Sequence, residues 1–332
     1  MSESDAVGWV AIGRNEGQRL VTCLRALQAH GGGPIAYVDS GSTDGSVAFA
    51  RGIGAEPVAL DMSIPFTAAR SRNAGFAALI ERCPNLRYVH FIDGDCEILP
   101  GWLDQARRFL DANPQVAAVA GRVFERHPEA SIYNQLCQYD WDAQGRFGEV
   151  EGCGGIVLMR VDAFRAVEGF DAALIAGEEP ELCLRLRAKG WKIWRLAVPM
   201  CLHDAGMTRF SQWWRRVERS GHAFAEGYAM HGGPPFHHCR ANVRRAWLWG
   251  GVVPALTVAA ALSLGWKALA LLLIYPLQAL RLSFRPSGQD PWNLRWLYSV
   301  FVVIARFAEF KGVLRYRWHR FMGQRSRLIE YK

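Results

Sequence analysis

The stretch HFIDGDCEI, residues 90–98, sets Asp93 and Asp95 one residue apart, directly after an apolar run. The run predicts a buried strand, and the glycine between the acids predicts a turn where that strand ends. Two carboxylates this close repel each other unless a cation lies between them and water, and hard divalent cations prefer oxygen ligands. The stretch therefore favours a strand end that binds a metal and a diphosphate. Taken alone, such a pair is more often two solvated turn aspartates.

The sequence around this stretch predicts a parallel sheet. The first third of the chain alternates short apolar runs with helical patterns, which is typical of βαβ units. The predicted strands are 7–12, 34–39, 56–60 and 87–93. Because ligands bind beyond the carboxyl ends of such strands, we expect the polar residues at those ends to converge. They are Arg14, Asn15, Glu16, Asp39, Asp93 and Asp95.

Charge is distributed unevenly along the 332 residues. Residues 240–332 carry 15 Lys and Arg against 3 Asp and Glu, whereas residues 1–239 carry 24 against 28. The basic part also holds the long apolar runs, which favours anionic lipid as a partner and not nucleic acid. The eight cysteines form no C-x-x-C pair, and the acidic start MSESDAVGWV lacks the order of a signal peptide. We expect a reducing, cytosolic setting.

The C-terminal part predicts a membrane region. No charge occurs from 246 to 266, a run long enough to cross a bilayer, and a shorter apolar run follows at 268–280. Flanking arginines allow a hairpin with both ends cytoplasmic, either spanning the membrane or lying in it. A third run, 296–305, is too short to span and predicts an interfacial segment. We therefore predict a catalytic domain over 1–238 and a membrane-associated helical region with a basic tail over 239–332.

Three stretches together resemble the family 2 glycosyltransferases, which have the GT-A fold, a mixed α/β sheet related to the Rossmann fold. They are YVDSGSTDGS (37–46), FTAARSRNAGF (66–76) and FIDGDCEI (91–98), and the similarity covers roughly residues 7–230. The resemblance implies that Asp39 contacts the nucleotide base and that Asp44 lies in the same turn. It implies that Arg72 and Asn73, with Gly75, form the R-N-x-G signature beside the nucleotide sugar. Arg14 joins these predicted donor-binding residues from its strand end.

The resemblance also implies roles for acidic residues and a histidine. Asp95 would bind the metal, and Asp93 would reach the ribose or the metal. GEEPELCLRL, residues 177–186, resembles an E-D-x-D-L-x-x-R-L motif whose Asp is the catalytic base. Glu179 falls on that position with Glu178 beside it, and the extra methylene of Glu leaves the choice between them open. Acids at a helix N-terminus also simply stabilise the helix dipole.

His203 lies where relatives place a histidine that ligates the metal or touches the diphosphate, and a purely structural histidine is the alternative. QWWRR, residues 212–216, resembles the Q-x-x-R-W motif of membrane-bound processive relatives, although it ends in Arg. An amphipathic helix against a membrane explains its aromatic residues equally well.

The resemblance implies an inverting glycosyltransferase that uses Mg²⁺ or Mn²⁺. It would move a sugar from a nucleotide-sugar donor to a lipid-linked or envelope-glycan acceptor, at the cytoplasmic face of the inner or plasma membrane, in polysaccharide biosynthesis. Two alternatives remain at this stage. One is a HAD-like phosphatase of the aspartyl-phosphate type, because FIDGDCEI superficially fits its strand end. The other is a non-catalytic membrane scaffold that retains the fold.

Overall fold

The computed structural model describes residues 7–143, 146–284, 292–324 and 328–330. The chain forms two compact units, Met1–Gly206 and Met207–Lys332. This division precedes the domain boundary predicted at 238/239, because the helix at Phe210–His231 packs against the last long helix, at Trp292–Phe321.

The first unit is built on a nine-stranded mixed sheet. Its strands are β1 (Val7–Gly13), β2 (Ile35–Asp39), β3 (Glu56–Ala59), β4 (Tyr88–Asp93), β5 (Cys96–Ile98), β6 (Val116–Glu125), β7 (Gly148–Val150), β8 (Val157–Arg160) and β9 (Lys192–His203). The order is β3-β2-β1-β4-β8-β6-β9-β5, and β7 pairs with β9. The four strands predicted from apolar runs are β1 to β4, and they form one parallel block. Beyond that block, β8 runs antiparallel to both β4 and β6.

The described residues of this unit also form seven α-helices. They are α1 (Gln18–His30), α2 (Ser46–Gly52), α3 (Ala68–Arg82), α4 (Trp102–Ala112), α5 (Ile132–Ala143), α6 (Val161–Ala166) and α7 (Glu178–Ala188). Helix α1 packs its apolar face into the core, since Leu20, Leu24 and Leu27 are all buried. Helix α3 packs on the sheet at Gly75, where a Cβ atom would lie 2.5 Å from Val10 Cγ1 and 2.7 Å from Val38 Cγ2. The glycine of R-N-x-G thus lets α3 lie close to β1 and β2.

Strand register brings the predicted polar residues to one edge. Gly13 at the end of β1 pairs with Asp39 on one side, and Ile12 pairs with Asp93 on the other. The strand ends that carry the two aspartates therefore flank the loop after β1. The convergence predicted from the parallel block is confirmed by this register.

A short strand that the sequence did not predict places Asp95. Strand β5 follows it at once and pairs antiparallel with β9, with Cys96 opposite His203. The backbone N–H of Asp204 also donates to the carbonyl oxygen of Asp95, at 3.0 Å. This pairing brings the second acid of the D-x-D stretch beside a histidine more than a hundred residues later in the chain.

The second unit is helical. It contains α8 (Phe210–His231), α9 (Arg240–Arg245), a π-helical segment (Ala246–Val252), α10 (Val253–Leu264), a 3₁₀ segment (Trp266–Leu273), α11 (Ile274–Ser283) and α12 (Trp292–Phe321). The run 296–305 lies inside α12, where Ser299 and Val303 are buried. The run is part of a 30-residue helix that packs on α8 and α11, and its interfacial position stays a prediction.

One helix in the described part of the chain has the length and composition of a membrane span. It is continuous from Arg240 to Leu264, its 18-residue apolar window has a mean hydropathy of 1.6, and 11% of that window is buried. Large apolar side chains on it are exposed, among them Leu262 at 84% and Leu264 at 80%. The second predicted apolar run lies in the 3₁₀ segment (Trp266–Leu273) and α11 (Ile274–Ser283), which follow each other without a break.

Helices α8 and α12 cross at facing glycines. A Cβ atom on Gly221 would overlap the carbonyl oxygen of Glu309, and one on Gly312 would overlap that of Glu218. Glu218 is also buried between cations of α12, with Lys311 Nζ at 2.9 Å and Arg315 at 3.4 Å. The crossing therefore depends on the absence of side chains at both glycines.

We expect Gly312→Ala to destabilise the second unit by about 1 to 3 kcal/mol, since the added methyl must force the two backbones apart. Thermal unfolding followed by circular dichroism measures the effect. Gly233→Ala is the matched control, because a Cβ atom there meets nothing within 4 Å. Equal unfolding temperatures for the two variants would contradict the close crossing.

Candidate active site

The loops after β1 and β2 are tied together by side chains. Asp39 Oδ2 accepts the backbone N–H groups of Gly41 and Ser42, at 3.0 and 2.9 Å. Asn15, which has φ of 53°, accepts the Thr43 N–H at 2.7 Å. Asp39 is buried. Its two bonds to the N–H groups that follow it are the pattern expected of an aspartate that stabilises its own turn.

Asp44 joins the same pair of loops. Its Oδ1 accepts the Ser46 N–H at the start of α2, and its Oδ2 accepts the Gly17 N–H at 3.1 Å. The hydrogen bond with Ser46 lowers the pKa of Asp44. Arg14 is exposed in the loop between β1 and α1. The predicted donor-binding residues of these loops thus lie together, although their contact with a nucleotide stays a prediction.

Arg72 lies at the centre of the site, between two carboxylates. Its NH2 donates to Asp93 Oδ1 at 2.8 Å, and its NH1 donates to Glu178 Oε1 at 2.6 Å. The Arg72 side chain is 4% exposed, and its guanidinium lies over the Phe170 ring at 5.7 Å. Burial alone lowers the pKa of Arg72, but the two carboxylates outweigh it and the pKa is raised. A permanently charged guanidinium thus joins the end of β4 to the start of α7.

Two neighbouring residues hold this arginine in place. A Cβ atom on Gly155 would lie 2.6 Å from Arg72 NH2, so the guanidinium occupies the space beside a glycine. Asn73 clasps the backbone of Phe170, donating from Nδ2 to its carbonyl at 2.7 Å and accepting its N–H at 3.0 Å. Both polar groups of Asn73 are therefore used structurally. The predicted contact of Asn73 with a donor stays a prediction.

The two adjacent acids of α7 face different partners. Glu178 bonds Arg72, as described. Glu179 Oε1 accepts the Cys153 N–H at 2.6 Å and the Cys183 thiol at 3.1 Å, and the residue is 9% exposed. In the described part of the chain the hydrogen bonds of Glu179 fall on Oε1, which leaves Oε2 to take a proton. Each acid thus has a distinct chemical setting, which the sequence alone did not separate.

A candidate metal site lies where β5 meets β9. One ligand atom each from Asp95, Cys96 and His203 lies within 4.8 Å of the others, and His203 Nε2 is 3.7 Å from Asp95 Oδ2. On its other side, His203 Nδ1 lies 3.5 Å from Oε2 of the fully buried Glu125. A carboxylate behind the second ring nitrogen is the usual arrangement of a metal-ligating histidine. The donor set fits a divalent cation.

Asp93, predicted as a further ligand, is engaged with Arg72 and is not a member of that group. Glu125, which no sequence motif indicated, supports His203 and also accepts the Ala205 N–H at 3.1 Å. It is the last residue of β6, whose other residues are mostly apolar. A carboxylate buried in an apolar strand requires partners, and that requirement is the signal that could have identified it.

Known proteins resemble this chain in sequence and in fold. Residues 11–167 match the model of the family described as glycosyl transferase family 2. The mannosyltransferase PcManGT from Pyrobaculum calidifontis, solved with GDP-Man and Mn²⁺, is 18% identical with a TM-score of 0.64, covering 95% of this chain and 88% of that one. TarS 1-349 from S. aureus, solved with UDP, is 12% identical with a TM-score of 0.48, covering 96% and 92%. No curated protein matches the chain.

The predicted fold class is confirmed. The mixed sheet and the match to the PcManGT structure identify the GT-A fold. These matches are to glycosyltransferases, so the phosphatase alternative gains no support from them. A phosphatase would also leave the loops around Asp39 and the R-N-x-G helix unexplained.

Proposed function

We propose that this chain, a glycosyltransferase whose residues 11–167 belong to family 2, moves a sugar from a nucleotide-sugar donor to a lipid-linked or envelope-glycan acceptor, with inversion. The observation that carries the proposal is the joining of Asp93, Arg72 and Glu178 beside the Asp95–His203 pair. In a transferase, the residues on the donor side of the site and the acid on the acceptor side would be joined side by side in this way.

Asp95 and His203 would hold Mg²⁺ or Mn²⁺, with Glu125 orienting the imidazole. When bound, such an ion offsets the negative charge that develops on a leaving diphosphate. PcManGT was solved with Mn²⁺ and GDP-Man, which supports a divalent ion and a nucleotide-diphosphate donor here.

Side chains of this protein would supply the other parts of the reaction. Asp39 and Asp44 keep the two loops closed at the place expected for the nucleotide, and Arg72 orients Asp93. Glu179 Oε2 would take the proton of the acceptor hydroxyl, because Oε1 is held by the Cys153 N–H and the Cys183 thiol. Inversion follows from a single attack by that hydroxyl on the face opposite the leaving group.

We also propose attachment to the cytoplasmic face of the inner or plasma membrane. The exposed apolar surface of α10, the 3₁₀ segment and α11 supports it, with Trp266 exposed at 76% and Leu277 at 62%. Contiguous exposed apolar surface of a protein marks an interaction site. Polysaccharide biosynthesis is the process that an acceptor at a membrane suggests.

A thermal-shift screen of UDP-, GDP- and dTDP-sugars, each with Mn²⁺ or with EDTA, tests the proposal. We expect one donor with Mn²⁺ to raise the unfolding temperature by several degrees. A ligand present at a concentration of a hundred times its Kd stabilises the folded protein by about 2.7 kcal/mol. Radiolabelled sugar should then pass to a polyprenyl-phosphate-linked or glycan acceptor. If no donor raises the unfolding temperature, with or without Mn²⁺, the proposal is refuted.

We expect Glu125→Gln to weaken Mn²⁺ binding by about 10- to 100-fold, because the histidine loses the carboxylate that orients it. The amide oxygen can still accept the Ala205 N–H, so the fold should be kept. Isothermal titration with Mn²⁺ measures the affinity. Glu129→Gln is the control, as that nearby side chain is 74% exposed. Unchanged Mn²⁺ affinity in Glu125→Gln would show that Glu125 does not support a ligand.

A further inference from the structure

Two thiols and a carboxylate form a second cluster, apart from Asp95 and His203. Cys153 lies in the loop between β7 and β8, and Cys183 lies one helical turn after Glu179 on α7. Their Sγ atoms are 3.4 Å apart, and both residues are buried, at 3% and 0% exposure. Both thiol-bearing residues donate to Glu179 Oε1, Cys153 through its backbone and Cys183 through its side chain.

The spacing of these atoms is close to that of a tetrahedral zinc site. Zinc binds thiolate sulfur at about 2.3 Å and carboxylate oxygen at about 2.0 to 2.2 Å. In a tetrahedron these lengths give about 3.8 Å between two sulfurs and about 3.5 Å between sulfur and oxygen. The observed separations are 3.4 Å for sulfur to sulfur and 3.1 Å for the Cys183 sulfur to Glu179 Oε1. A shift of a few tenths of an ångström would admit the ion.

Both thiols are neutral at rest. The hydrogen bond with Cys153 and burial raise the pKa of Cys183 well above its ordinary value. Neutral thiols do not repel each other, which lets them lie in contact without an ion. A bound dication displaces their protons, as at other cysteine metal sites, and offsets two of the three negative charges of the thiolates and the carboxylate.

We propose that Cys153, Cys183 and Glu179 form a binding site for a thiophilic divalent cation of the zinc class. The fourth coordination position is left to water. Hard ions such as Mg²⁺ and Mn²⁺ prefer oxygen ligands, whereas thiolates select zinc. The cluster with two thiols therefore favours zinc more strongly than the group of Asp95, Cys96 and His203, which has one thiol.

The site has a functional consequence that rests on the proposed function. Glu179 is the proposed base, and a carboxylate bound to a cation cannot take a proton. Zinc should therefore inhibit sugar transfer, and excess Mn²⁺ should not relieve the inhibition because it competes poorly for thiolates.

Titration of the purified full chain with Cd²⁺, a spectroscopic substitute for zinc, tests the site without any need for activity. We expect a thiolate-to-cadmium charge-transfer absorption with the amplitude of two thiolates per chain. Cys153→Ser and Cys183→Ser should each lose at least half of it and bind Cd²⁺ at least tenfold more weakly. Cys83→Ser is the matched control, since Cys83 belongs to neither cluster.

A further variant separates this site from the first one. Cys96→Ser removes the thiol beside Asp95 and should keep the two-thiolate amplitude. If a variant of Cys153 or Cys183 does not fold, the amplitude of the charge-transfer absorption in Cys96→Ser still tests the proposal. One thiolate or fewer there, or an undiminished band in both Cys153→Ser and Cys183→Ser, would overturn the proposal.

Zinc inhibition of transfer is the second readout. Each variant is compared with its own zinc-free rate, and Cys183→Ser should need at least tenfold more zinc for half inhibition than Cys83→Ser. A chain that binds Cd²⁺ through both thiols but transfers no sugar would refute the proposed function and leave the metal site intact.

Discussion

Asp95→Asn is expected to abolish the metal-dependent part of donor binding and to lower the transfer rate by at least about a hundredfold. Charge stabilisation by a metal is worth several kcal/mol, and about 1.4 kcal/mol corresponds to a factor of ten in rate. The asparagine keeps the shape of the side chain and removes the charge that faces His203 at 3.7 Å. Thermal shift with the best donor, with Mn²⁺ or with EDTA, and a radiolabel transfer assay measure the two effects.

Asp104→Asn is the control for the loss of one negative charge, because Asp104 is exposed on α4, apart from the candidate metal group. It should keep both the metal-dependent shift and the rate. An Asp95→Asn protein that still shows the full Mn²⁺-dependent shift would place the metal elsewhere. Asp93, already paired with Arg72, would then be the next carboxylate to change.

Glu179→Gln is expected to keep donor binding and to lose transfer, by about 10²- to 10⁴-fold in kcat, the usual contribution of a general base. The amide oxygen of Gln can still accept the Cys153 N–H, so the loop should stay in place. Donor binding by thermal shift and kcat by radiolabel transfer separate the two properties. A fully active Glu179→Gln enzyme would refute the base assignment.

Glu178→Gln is the matched comparison on the same helix. It removes one of the two carboxylates that bond Arg72 at 2.6 and 2.8 Å, so we expect KM for the donor to rise and the protein to be less stable. If Glu178→Gln instead loses kcat with KM unchanged while Glu179→Gln is active, the base is Glu178. The kinetic split between the two variants resolves the choice that the sequence left open.

The parallel half of the sheet was predictable from sequence because its strands are continuous apolar runs. β1 and β4 are buried nearly throughout, and their polar ends are the site residues. The antiparallel half was not predictable in the same way. β9 mixes buried, half-buried and exposed positions without a regular alternation, and β5 has three residues, so neither gives a clear periodic signal.

Site residues that belong to sequence motifs were predictable, whereas site residues that strand pairing brings together were not. Arg72, Asp93 and Asp95 were found because they belong to recognisable stretches. Glu125 was missed, because its role comes from the pairing of β6 with β9, which sets it opposite His203. The partner of Cys153 was missed for the same reason: a lone cysteine gives no sign of a second one across a loop.

The clasp between Asn73 and Phe170 has a mechanical consequence. Asn73 follows Arg72 on α3, and Phe170 begins the connection that leads to α7, so two hydrogen bonds and the arginine couple both elements. Helix α3 and the start of α7 should then move as one piece during turnover. Any closure over the sugar must be made by segments outside this piece, and crosslinking α3 to α7 should leave the catalytic cycle unhindered.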